Sequence, residues 1–184
     1  PGAPPAGYDR LWCSEFGLHF VPVEDDRTVN LATAPVTETT TVNNTTVEEI
    51  VFSGAIGANE LHEGQVIKAR LLGRYSTVNA SDTFTLRSKI GGVTMDSVIS
   101  VAAGVTDAPV DIELVFTVRS VGVSGTAWVY TKTAFDNTSN DQPGTSTREL
   151  NTTIAENVIV TIQWDAEDPD NSVSIDQGWL EFIA

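Results

Sequence analysis

The densest set of oxygen donors in this 184-residue chain is the run Asp165-Ala166-Glu167-Asp168-Pro169-Asp170-Asn171. Calcium takes roughly six to eight oxygens, often from one such loop. Asp165, Glu167, Asp168 and Asp170 would be its ligands here, and the binding would be weak. The spacing is not that of an EF-hand, and Pro169 sets a rigid turn instead. The ordinary alternative is a solvated acidic loop, which is the preferred reading because runs of like charge usually face water. No other cofactor is expected.

The remaining reactive residue types are sparse. There are two histidines, His19 and His62, far apart and without Cys or His neighbours at ligand spacing. Zinc needs three or four close nitrogen or sulfur ligands, and a general base needs a positioned partner. The single cysteine, Cys13, has no evident His partner and cannot form an intrachain disulfide. No nucleophile elbow or phosphate-binding glycine loop is present. Two carboxylates at glycosidase separation are conceivable on a β-sandwich, but no pair stands out among 25 acidic residues. The expectation is a protein that is not an enzyme. Four tryptophans could stack on sugar rings, but core packing is the default for Trp12, Trp128 and Trp164, with Trp179 the least constrained. The sequons at Asn43, Asn44, Asn79, Asn137 and Asn151 read as chance in an Asn- and Thr-rich chain.

Charge narrows the partners. The 25 acidic residues oppose 10 basic ones, a formal net charge of -15. Such a surface repels phosphate backbones and anionic lipid, so neither nucleic acid nor membrane is expected as a partner. No apolar stretch approaches the roughly 20 residues that a membrane helix requires.

The elements that must carry these residues are strands. In Asp111–Arg119, Ile112, Leu114, Phe116 and Val118 alternate with Asp111, Glu113, Val115, Thr117 and Arg119, one face dry and one wet. Phe84, Leu86 and Ile90 repeat the device, as do Val158, Val160, Ile162 and Trp164. Strands are predicted over 47–53, 65–75, 82–90, 93–101, 109–121, 124–135, 147–154, 157–165 and 172–183. Gly91-Gly92 marks a hairpin, while 54–64, 76–81, 136–146 and 166–171 read as loops. No segment has a sustained helical repeat. The fold class expected is all-β: an antiparallel, jelly-roll-like β-sandwich. An immunoglobulin-like sandwich is the second choice, and it lacks the Cys–Trp–Cys signature.

Four parts follow along the chain. Residues 1–7 are a Pro/Gly-rich arm. Residues 8–33 are a small β segment, with strands predicted at Arg10–Ser14, Leu18–Val23 and Thr28–Ala32 and Pro22 suggesting an edge. Residues 34–46 are a Thr-rich linker with strand potential in its second half. The sandwich fills 47–184.

The stretch Asn43–Ser76 and the following Thr83–Gly92 resemble bacteriophage virion β-sandwich proteins of the head decoration, head fibre and tail fibre type. The resemblance lies in a Thr-rich opening strand and a turn carrying Ile56, Ala58, Asn59, Leu61 and Gly64. A basic-apolar strand ending at Gly73 follows, then a strand closing on Gly91-Gly92. The segment RLWCSEFGLHFVPVEDDRTVNLA is similar to short β units that precede the sandwich in such proteins. The resemblance covers about half the chain and implies a trimeric appendage on the virion exterior. It would be bound to the major capsid protein or other virion subunits, and it has no catalytic residues. A capsid decoration or short head fibre is favoured, because no fibrous repeat is present. The alternative is a tail fibre module that grips host glycans through loops 136–146 and 165–171.

Overall fold

The computed structural model describes residues 8–14, 17–22, 36, 38–77, 82–101, 104–135, 138–142 and 147–183. All regular elements among them are strands: β1 Tyr8–Ser14, β2 Gly17–Pro22, β3 Thr40–Asn43, β4 Glu49–Ile56, β5 Val66–Ser76, β6 Thr83–Ile90 and β7 Val93–Val101. These are followed by β8 Ala108–Ser120, β9 Gly125–Phe135, β10 Thr138–Gln142, β11 Thr147–Leu150, β12 Glu156–Trp164 and β13 Ser172–Ile183.

β1 and β2 form a separate antiparallel pair. The arm 1–7 and the strand expected at Thr28–Ala32 lie outside the described residues. The other strands form two antiparallel sheets. The larger runs β10-β9-β8-β5-β13-β3, with β11 also on β9, and the smaller runs β4-β12-β6-β7. The quartets β3-β13-β5-β8 and β4-β12-β6-β7 face each other, and the chain passes between the sheets at β3–β4, β4–β5, β5–β6, β7–β8, β11–β12 and β12–β13. That is the jelly-roll order. β9, β10 and β11 widen one sheet beyond it.

The alternating patterns become the core. Ile112, Leu114, Phe116 and Val118 are fully buried, as are Val158, Val160, Ile162 and Trp164 on the opposing sheet. Phe84 of β6 joins the layers, with its ring 5.1 Å from Trp164, 5.0 Å from Phe135 and 5.9 Å from Tyr75. Gly91 and Gly92 both have positive φ, as a two-residue hairpin turn requires. Gly73 answers a different need. A Cβ there would lie 1.9 Å from the Ser174 carbonyl oxygen, beside the bulge at which Asp176 is the extra residue of β13.

Several boundaries differ from the sequence expectation. The sandwich begins before residue 47: β3 pairs with β13, and the Val36 amide donates to the Gly178 carbonyl. β4 runs on to Ile56 because Gly54 pairs with Val158 rather than starting a loop. The expected loop 136–146 contains β10, a polar strand held by backbone pairing to Thr131–Phe135. β11 stops at Leu150, because the Asn151 side chain accepts from the Thr153 amide and hydroxyl and turns the chain.

The connections collect at two ends. One end holds 44–48, 77, 82, 104–107 and 165–171, tied by bonds such as Asn44 N to Asn171 O and Thr77 N to Val105 O. The other holds 57–65, 91–92, 121–124 and 151–155, tied by Asn59 N to Thr152 O and Thr152 N to Gly122 O.

Candidate functional site

The acidic loop 165–171 sits at the first of these ends, and two of its carboxylates serve backbone turns. Asp165 Oδ1 accepts from the Thr83 amide at 2.9 Å, and Asp168 Oδ1 accepts from the Asp170 amide at 3.1 Å. Asn171 is fully buried and donates through Nδ2 to Asp82 Oδ2 at 2.8 Å. Among the described residues, no three His, Cys, Asp or Glu side chains gather as a cation cage. Asp165, Glu167, Asp168 and Asp170 are neighbours in sequence that the fold does not bring together as one ligand set. His62 is exposed on the other end, where its amide donates to Gln65 Oε1.

The face with the most organised side chains is the outer surface of the larger sheet. Antiparallel pairing puts Lys132, Glu113, Arg70 and Trp179 in one row across β9, β8, β5 and β13. The next row is Tyr130, Val115, Lys68 and Glu181, and the one beyond it is Trp128, Thr117, Val66 and Ile183. Cross-strand pairs of opposite charge stabilise such a surface modestly. Lys68 Nζ lies 3.0 Å from Glu113 Oε2. Arg70 grips Asp111 with two bonds, Nε to Oδ1 at 3.2 Å and Nη2 to Oδ2 at 2.9 Å. Those bonds, and then the charge of Asp111, raise the pKa of Arg70 above its ordinary value. Its guanidinium also lies 6.0 Å from the centre of the Trp179 ring. Arg74 completes the series at 3.7 Å from Asp176.

The structure corrects the reading of Trp128. Core packing was expected, yet the side chain is 38% exposed on this outer face. Trp128 and Tyr130 do share a face, but the inward face of β9 is built from Ala127, Val129, Thr131, Thr133 and Phe135. Apolar residues on both sides of the strand left its phase undecided. Trp164 is buried as expected.

A second cluster, on the smaller sheet, was not anticipated. Glu48 reaches across the sheet face to Lys89 Nζ at 2.6 Å, to the Thr161 hydroxyl and to Arg87 Nη1 at 3.8 Å. Arg87 in turn donates to Gln163 Oε1, and Gln163 Nε2 donates to the Thr46 carbonyl. Burial pushes the Glu48 pKa up. The bonds from Lys89 and Thr161 and the charges of Lys89 and Arg87 outweigh it and leave the carboxyl below its ordinary value. The sequence signal was slight: the alternation of Arg87 and Lys89 on the wet face of β6.

No protein-family model and no curated protein matches the chain. A solved structure, described as that of infectious bursal disease virus Gt strain, is similar at a TM-score of 0.39 and 13% identity. The match covers 95% of this chain and 37% of that one. A likeness this slight carries no argument about function.

Proposed function

We propose that the chain is a virion structural protein of the capsid decoration or short head-fibre type, attached to the particle exterior and without enzymatic activity. The observation that carries this reading is the jelly-roll strand order, an architecture used by viral capsid proteins and lectins. The fold by itself does not decide function. The resemblance of Asn43–Ser76 and Thr83–Gly92 to phage virion proteins supplies the direction. In this reading the N-terminal residues 1–33 anchor to the major capsid protein or a neighbouring virion subunit, and the sandwich faces outward. Many weak contacts around a shell act together, so avidity stabilises the particle without any single tight bond.

Mass spectrometry of purified particles tests the proposal. Hundreds of copies per particle are expected; a few dozen or fewer would point to a tail fibre, and absence from particles would overturn the reading. Removing residues 1–33 should abolish incorporation, and full occupancy without them would refute the anchoring role. A second reading, a glycan-gripping fibre module, is favoured by the exposed Trp128 ring beside Tyr130. Binding on a glycan array that is lost in Trp128→Ala would select it.

A further inference from the structure

The outer face of the larger sheet carries charge in columns of alternating sign. β9 presents Lys132, β8 presents Asp111 and Glu113, β5 presents Lys68, Arg70 and Arg74, and β13 presents Asp176 and Glu181. Within these four columns the charges cancel, although the whole chain has a formal net charge of -15. The surplus lies elsewhere, as in Asp165, Glu167, Asp168 and Asp170 at one end and Glu60, Glu63 and Glu156 at the other. Arg119, the extra residue of the β8 bulge, lies beyond the last row at the hairpin. A second acidic copy therefore approaches this face against little net repulsion.

The order of the columns also selects a geometry. We infer that two copies of this chain pair through this face, about a two-fold axis parallel to the strands and between β5 and β8. Rotation about that axis places the acidic β8 column of one copy over the basic β5 column of its partner, and β9 over β13. Rows are preserved, so Glu113 meets Arg70, Tyr130 meets Glu181 and Lys132 meets the Trp179 ring across the interface. In the apolar row, Trp128 meets Ile183 and Thr117 meets Val66. A two-fold axis perpendicular to the strands would instead set each column against its own sign, which costs affinity. The surface is thus self-complementary in the isologous sense that two-fold dimers need. Sheets packing face to face also keep their strands roughly aligned, within about 30°.

Size sets the strength. Four columns span about 19 Å, and the rows from Val66 to Arg74 about 27 Å. The face is on the order of 500 Å² per copy, at the small end for a specific contact. The dimer therefore dissociates on dilution and weakens with salt. The inference stands on the charge pattern and does not depend on the virion reading; particle composition tests that reading and solution mass tests this one.

Sedimentation equilibrium of the full chain, from micromolar to millimolar concentration at low and high salt, is the experiment. A monomer–dimer equilibrium is expected, with Arg70→Glu and Glu113→Arg each weakening association more than about tenfold. The double exchange Arg70→Glu with Glu113→Arg should restore the dimer, because the facing columns again have opposite sign at that row. Thermal melts of all three variants show that each is folded, and the double exchange carries the test if a single variant is not. A monomer at every concentration, a trimer, or a dimer indifferent to the single exchanges would overturn the inference.

Discussion

Phe84→Ala is the perturbation that most directly tests how the two sheets are joined. Phe84 lies on β6 of the smaller sheet, fully buried, with edge-to-face contacts to Trp164 of its own layer and to Tyr75 and Phe135 of the other. Truncating a buried Phe to Ala costs about 3–5 kcal/mol from lost transfer energy and the residual cavity. The upper part of that range is expected, because each aromatic pair contributes about 0.5–1.5 kcal/mol beyond burial. For a chain of this length, 1 kcal/mol moves the melting temperature by about 2–4 °C, so the loss should be about 8–20 °C. Urea unfolding read by Trp fluorescence measures it, with a lower midpoint and unchanged slope. Val123→Ala is the control: this side chain is 72% exposed in the β8–β9 turn and its truncation should change stability by about 0.5 kcal/mol or less. A Phe84→Ala loss below about 1.5 kcal/mol, or a larger loss for the control, would refute the aromatic cluster as the joint between layers.

Three further outcomes are expected. The folded pKa of Glu48 is lowered from 4.5, so its contribution is complete above that value and is lost as pH falls through the lower folded value. Melting curves of the parent and Glu48→Gln should therefore differ at neutral pH and converge in acid; parallel curves would contradict the clamp. Gly73→Ala sets a methyl against the Ser174 carbonyl and should cost about 1–3 kcal/mol or more by chemical denaturation. Asp165→Ala removes the acceptor of the Thr83 amide and should cost about 1 kcal/mol, equally in calcium and in chelator. A loss that appears only with calcium would support the acidic loop as a metal site.

The fold was more legible in the sequence than the surface. Period-two alternation on β6, β8 and β12 identified both the strands and their buried faces, because a half-buried strand must separate apolar from polar residues locally. Gly91-Gly92 marked its own hairpin for an equally local reason. Where a strand carries apolar groups on both faces, as β9 does with Val129 and Trp128, the period was clear and the phase was not. β10 offered no pattern at all, since Thr138–Gln142 is held by backbone pairing that any side chains allow. The carboxylates of 165–171, adjacent in sequence, are used separately by the turn.

Residue pattern and charge alone make this an all-β chain, show which alternating residues face inward on its clearest strands, and disfavour polyanionic partners. The choice of which strands lie side by side belongs to the three-dimensional fold. That choice creates the columns of alternating charge, because β5, β8 and β13 become neighbours across long stretches of chain. It also brings Glu48 to Thr161, 113 positions away. Local patterning depends on a residue and its near neighbours, whereas charge pairing across a sheet depends on topology, and the jelly-roll topology is set by how two whole sheets bury their faces against each other.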